Sequence, residues 1–362
     1  MRIGKYIISG LLIASFGLSG CAAKPIKIGL VGNLMGRNSE LSVAIRDGVI
    51  LAVEEINSLG GIWGRPIQLI VKDDKQDPQT ALQIEQEFSH AKVTAVIGHM
   101  SNAITATVLN WINRQKMPLI NPLPGTAINQ ENKEYFISCA SAAEQSITSE
   151  ASYAVNQLKL KKIAIVYDLS HSVDGLNWYH GFKNEFIRLG GSSVISATFY
   201  SSNNINFTGI AHEVLSSKPD GLLIVANGID AAIFCQQIRK FEPTLPILAT
   251  PWVMGRLFLE YGGQAVAGTV LSYAELKTAD SLPISLVKQK FTQRFGEPAT
   301  VYSLRGYQTA RRLFSAIARC RHVTSGNIIR NLKNAQQKPV VSSLFRVTDG
   351  QFTRFRADET NN

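Results

Sequence analysis

The chain has 362 residues, 45% of them apolar and 18% charged, with a formal net charge of +10. That composition excludes a disordered chain, and the length suffices for two domains of ordinary size. Basic residues are scattered, as in Arg311-Arg312, Arg319, Arg321, Arg354 and Arg356, with no basic run interleaved with aromatics. This argues against a nucleic-acid partner and leaves anionic surfaces or solutes open.

The N-terminus, MRIGKYIISGLLIASFGLSGC, has a short basic start (Arg2, Lys5), an apolar run from Tyr6 to Leu18 and a small-residue end. Residues 1–20 read as a secretory signal, too short for an ordinary spanning helix. Leu18-Ser19-Gly20-Cys21 resembles the bacterial lipobox. The resemblance implies cleavage before Cys21 and a lipid, such as palmitate, on the modified Cys21. Residues 21–25 would then be a short linker, and the mature chain would be anchored to a membrane on the extracytoplasmic side. The alternative is an ordinary signal peptide that happens to contain a cysteine.

From Ile26 short apolar runs alternate with amphipathic stretches. Residues 26–31 read as strand. Residues 39–59 read as a helix, with Val43, Val49, Ala52, Val53 and Ile56 at helical spacing and Gly60-Gly61 as its stop. Residues 66–71 read as strand, Asp77-Pro78 opens a helix, and residues 93–98 and 117–121 are further strands. Between the last two, HMSNAITATVLNWINRQ reads as the start of a helix just past a buried strand.

After a break near 135–145 the rhythm restarts, with strands at 162–167, 192–199, 221–226 and 246–249 and helices at 174–189, 206–216 and 230–241. A strand at 269–273, helices at 285–295, 300–319 and 325–334, and a β-hairpin over 343–355 with Asp349-Gly350 at its turn complete the chain. Two blocks of βαβ units predict an α/β fold of two lobes, each a parallel, helix-covered sheet. Ligands of such sheets bind at the carboxyl ends of strands. The informative loops are therefore 32–42, 98–102, 122–126, 168–175, 227–230 and 250–255.

Chemistry-bearing motifs are sparse. Cys139, Cys235 and Cys320 are odd in number and read as buried small hydrophobes. No CxxC, HExxH, GxGxxG, Walker loop or nucleophile elbow is present, so neither a metal, a nucleotide cofactor nor an enzyme is expected. His171, Asp174 and His180 lie close in sequence, but helix turns separate them, and the histidines read as surface or cleft-lip residues rather than as a catalytic or metal set.

Several stretches resemble the type I periplasmic binding proteins, in the leucine/isoleucine/valine- and amide-binding group of ABC transporter receptors. They are IKIGLVGNLMG (26–36), RDGVILAVEEINSLGGIWGRPIQLIVKDDKQDP (46–78), VIGHMSN (96–102), LINPLPGT (119–126), KIAIVYD (162–168) and VYSLRGYQTARRL (301–313). The resemblance implies two doubly wound lobes joined by three hinge crossovers, closing over a small solute. Lobe one would be 26–140 plus 276–335, and lobe two 141–275 plus 336–362. It also implies a carboxylate, or a comparable acceptor, held before Ser101 and Asn102. The ligand-binding set implied is Met100, Ser101, Asn102, Leu123, Gly125, Thr126, Ser172, Asn227, Trp252 and Tyr302.

The departures narrow the ligand. The acidic residue with which branched-chain binders hold the ammonium falls at Pro251, and two tyrosines of the family become Ser172 and Asn227. The family's first-lobe disulfide positions read Gln76 and Ser101. An unpaired buried charge costs several kcal/mol, so amides and aliphatic or aromatic carboxylates stand beside amino acids as ligands. Asp230 reads as a helix cap rather than as a replacement acid. Trp252 and Tyr302 suit a flat or apolar ligand. The function expected is a solute receptor delivering its ligand to an ABC permease. The alternatives are a sensor for a membrane kinase or chemoreceptor, and an envelope lipoprotein that binds a partner and leaves its cleft empty.

Overall fold

A computed structural model describes residues 23–124, 134–140, 143–201, 204–275, 283–334 and 341–356. Two sheets organise it. The first contains β1 (Ile26–Gly32), β2 (Ile67–Asp73), β3 (Ala95–Ile97), β4 (Leu119–Pro124) and β5 (Phe136–Ala140), in the order β2-β1-β3-β4-β5 and parallel throughout. The second contains β6 (Lys162–Asp168), β7 (Ser193–Phe199), β8 (Gly221–Val225), β9 (Ile247–Ala249), β10 (Val270–Glu275), β11 (Val341–Thr348) and β12 (Gln351–Phe355). Its order is β12-β11-β10-β9-β8-β6-β7, parallel from β7 to β10. The last two strands add an antiparallel edge. Their turn, Asp349-Gly350, has both residues in the left-handed region, as a two-residue hairpin requires. The expectation of parallel sheets therefore holds except at this hairpin edge.

Each sheet with the helices packed on it forms a lobe. The first carries α1 (Glu40–Ser58), α2 (Pro78–His90) and α3 (Asn102–Gln115), and also α9 (Ile284–Phe295), α10 (Val301–Ala318) and α11 (Ser325–Asn334), which return late in the sequence to cover it. The second carries α4 (Ala143–Ser152), α5 (Ser172–Arg188), α6 (Phe207–Ser216), α7 (Gly228–Phe241) and α8 (Arg256–Gly262). The chain passes between lobes three times, after β5, after β10 and after α11. Residues 141–142, 276–282 and 335–340 at those passages lie outside the described set.

The stretch 135–145 is no simple break. It holds edge strand β5 and opens α4, which continues as a π-helical turn, Tyr153–Gln157. The buried positions of α4 are Ser146, Ile147, Glu150 and Ala151. Half of them are polar, so no apolar stripe marks the helix in the sequence.

Glycines fix the placement of α10, on which much of the site depends. A Cβ on Gly48 of α1 would sit 1.8 Å from the Ser303 carbonyl oxygen, and one on Gly306 of α10 would sit 2.1 Å from that of Ile45. The two helices thus cross backbone to backbone, each supplying the glycine the other needs. Asp77 caps α2 as expected, its carboxylate accepting from the Thr80 amide at 2.7 Å. Cys235 and Cys320 are free and buried, and burial lifts the Cys235 thiol to about 12, so it behaves as a small hydrophobe. The side chain of Cys139 lies outside the description. Among the described residues no helix is long and apolar enough to cross a membrane.

Candidate functional site between the lobes

Loops at the carboxyl ends of the strands face each other across a cleft. Strand β3 is followed by Gly98, whose φ of +149° and 2.4 Å approach of a Cβ to the Val31 oxygen leave no room for a side chain. The loop then runs through His99, Met100 and Ser101 into α3. Ser101 is the N-cap, its side chain accepting from the Ile104 amide. Asn102 turns across the cleft, and its Nδ2 donates to Asp174 Oδ1 at 2.6 Å. What stands before the α3 N-terminus is thus a carboxylate of the opposite lobe. From β4, Asn121 Oδ1 accepts from the Leu123 amide at 2.7 Å and fixes the chain where Leu123 enters the cleft.

Two chambers lie between the lobes. The inner one, about 270 Å³, is walled by Trp178, Trp252, Tyr273 and Tyr302, with Asn102, Leu123, Asp174 and Arg305 also on its surface. The outer one, about 80 Å³, is lined by Met100, Ser101, Leu123, Asn227 and Trp252, with Asp74 and Asp174. Leu123, Asp174 and Trp252 border both. The structure therefore gathers Met100, Ser101, Asn102, Leu123, Asn227, Trp252 and Tyr302 around one cleft. Ser172 begins α5, but its side chain lies outside the description, as do Gly125, Thr126 and Cys21.

The aromatic walls are held by the protein itself. Tyr302, 4% exposed, donates its hydroxyl to the Pro251 carbonyl at 2.9 Å, and burial pushes its phenol well above the ordinary range. Pro251 thus supplies a main-chain acceptor where a side-chain acid was missed. Tyr273 meets Tyr302 edge-on at 6.3 Å, and Trp178 meets Trp252 edge-on at 6.2 Å.

The expectation that Asp230 caps a helix is corrected. Asn227 is the N-cap of α7, accepting from the Asp230 amide at 3.0 Å. The fully buried Asp230 carboxylate instead receives Arg37 of the first lobe (Nε donating at 2.8 Å), the Ser201 hydroxyl and Asn227 Nδ2. Close by, Glu40 at the start of α1 reaches into the second lobe and accepts from the Leu257 amide at 2.8 Å. A Cβ on Gly255 would lie within 2.4 Å of that carboxylate, so the approach depends on the glycine. Burial raises the Glu40 carboxyl, while hydrogen bonds from the Leu257 and Arg256 amides pull it back. Polar links that join the lobes include Arg37–Asp230, Glu40–Leu257, Asn102–Asp174, Tyr302–Pro251 and Arg305–Ala274.

Beneath the Ser101 loop lies a buried charge cluster. His99, fully buried, has Nδ1 2.7 Å from Asp74 Oδ2 and Nε2 3.2 Å from Glu85 Oε1. Burial alone would lower its pKa, but the two carboxylates outweigh it and raise the value to about 9, so the ring is an imidazolium at neutral pH. Asp74 also accepts from the Gln76 amide and borders the outer chamber. The cluster thereby stiffens the floor of the cleft. Among the described residues no group of side chains has the makings of a metal site.

Asp174, although in the loop 168–175 singled out from the sequence, is not in the expected binding set, and neither are Trp178, Tyr273 and Arg305. Arg305 had a signal: it follows Tyr302 by three positions, hence shares its helix face. The others sit inside elements whose orientation toward the cleft depends on how the lobes meet.

A family model described as periplasmic binding protein matches residues 25–360. Leu/Ile/Val-binding protein homolog 1 of Brucella abortus is 23% identical over 321 residues, covering 86% of this chain and 83% of its own. Leu/Ile/Val-binding protein BraC3 of Rhizobium johnstonii is 20% identical over 346 residues, covering 95% and 92%. Among solved structures, the leucine-binding protein LivK of Thermotoga maritima superposes with a TM-score of 0.81 at 19% identity, over 91% of this chain and 98% of that one. LivJ of Streptococcus pneumoniae, in complex with isoleucine, gives 0.77 at 18%, over 91% and 99%. These structural matches speak to the fold, and the family model to the lineage. The chain belongs to the periplasmic binding protein family, a family of substrate-binding receptors rather than enzymes, and it has the type I fold.

Proposed function

We propose that this chain is an extracytoplasmic lipoprotein that traps a small polar ligand between its lobes and delivers it to an ABC importer. The observation that carries the proposal is the aromatic-walled chamber of about 270 Å³ bordered by both lobes. Its size suits an amino acid, an amide or a small carboxylate, below the range of drug-sized clefts. Asn102, Leu123, Trp252 and Tyr302 wall the chamber that holds the ligand, Met100, Ser101 and Asn227 line the adjoining outer chamber, and Gly125, Thr126 and Ser172 of the neighbouring loops complete the proposed binding set. The division into 26–140 plus 276–335 and 141–275 plus 336–362 is part of the same proposal, and the membership of the two sheets supports it. The relatives named for binding leucine, isoleucine and valine support an amino-acid-sized ligand, and the naming of LivJ as a transporter's substrate-binding protein supports a transporter partner.

A thermal-melt screen of residues 22–362 against amino acids, amides, aliphatic and aromatic carboxylates and nucleosides tests the receptor reading. A ligand at 100 times its dissociation constant adds about 2.7 kcal/mol of stability. A saturable rise with one class supports the proposal, and a flat response to every class overturns it. The anchor is tested separately: labelled palmitate should enter the full chain and be lost on Cys21→Ala.

A further inference from the structure

We propose that the ligand of the inner chamber carries a carboxylate and that Arg305 is its anchor. This rests on the receptor reading above and specifies the ligand's charge and orientation. Arg305 is 4% exposed and is the sole basic side chain among the described residues lining the chamber. Its Nη2 donates to the Ala274 carbonyl at 2.8 Å, and its guanidinium lies over the Tyr273 ring at 4.7 Å. Its Nε is buried with no hydrogen-bond partner among the described residues. No described carboxylate lies within ion-pair distance of it. A buried guanidinium lacking a counter-ion is costly, and a planar carboxylate is the group its N–H donors fit.

The other place for an anion, the start of α3, has a carboxylate beside it. The N-terminus of α3, where strand-end geometry directs amide donors, faces Asp174, which accepts from Asn102 at 2.6 Å. A ligand carboxylate there would meet a like charge. The chamber thus carries a single guanidinium, Arg305, among its described lining residues, together with two carboxylates, Asp174 and Glu144. The ligand's anionic end goes to Arg305, its body lies among the rings of Trp178, Trp252, Tyr273 and Tyr302, and any hydrogen-bond donor or ammonium points to Asp174 or Glu144. Simple carboxylates and amino acids share the required group.

The test uses matched pairs differing only at that group: benzoate and benzamide, isovalerate and isovaleramide, leucine and leucinamide. Binding to residues 22–362, which include every described residue, is read by tryptophan fluorescence, since Trp178 and Trp252 wall the chamber. For whichever body fits, the carboxylate should bind roughly 10- to 100-fold tighter than its amide. Arg305→Gln, with an unchanged circular dichroism spectrum, should abolish that preference. The wild-type ratio decides the matter even where the variant does not fold. Equal affinities, tighter binding of the amides, or a preference that survives in a folded R305Q would overturn the carboxylate assignment while leaving the receptor reading intact. Binding by no member of any pair overturns it too, and the broader melt screen then decides whether a receptor of another ligand class remains.

Discussion

Stability should fall as pH rises from about 6.5 to 9, because the buried His99 imidazolium is held by Asp74 and Glu85. In the unfolded chain the ring titrates near 6.5, and in the folded protein near 9. Below the lower value both states are protonated and the full stabilisation is present. Between the two values only the folded state keeps its proton, so stability declines, and above about 9 the contribution is gone. At about 1.4 kcal/mol per pH unit, the interval from 6.5 to about 9 corresponds to about 3 kcal/mol. The assay is urea unfolding followed by circular dichroism at half-unit steps of pH from 6 to 9.5, on the wild type and on His99→Gln. The variant leaves two buried carboxylates without a counter-charge, which costs about 3–5 kcal/mol at pH 6.5. The difference between wild type and variant should shrink steadily toward pH 9. A wild type whose stability is flat over this range, or a variant that keeps the same slope, would refute the buried imidazolium.

Gly48→Ala should push α1 and α10 apart, since the new Cβ would fall 1.8 Å from the Ser303 oxygen. A loss of about 3 kcal/mol is expected, and with it a fall of several degrees in Tm by calorimetry; an unchanged Tm would mean that the helices do not cross where described. Glu40→Ala removes a cross-lobe cap worth about 1 kcal/mol, shifting the protein about fivefold toward an open form. Small-angle scattering of the ligand-free protein should then report a larger radius of gyration, and an identical radius would show that this contact does not hold the lobes together.

The fold was largely legible because the strands are short apolar runs with turn residues on either side and the long helices carry apolar stripes. What escaped was written in polar or brief segments. Helix α4 buries Ser146 and Glu150 beside Ile147 and Ala151, and α8 has only seven residues closed by Gly262-Gly263. The site divided in a similar way. Residues directly after strands, such as Ser101, Asn102 and Asn227, could be placed in the cleft from topology alone. Arg305, Trp178 and Asp174 sit within helices, where spacing reveals which face is buried but not whether it meets a sheet or a cavity. Asp230 looked like a cap by its position near a helix start. Its partner Arg37 lies 193 positions away in the opposite lobe, a separation that no local pattern reports.

The most direct measurement is a crystal structure of residues 22–362 with a ligand identified in the melt screen. The account requires the ligand in the chamber between Asn102 and Trp252, touching residues of both lobes. A ligand bound outside the cleft, or held by one lobe alone, would contradict it.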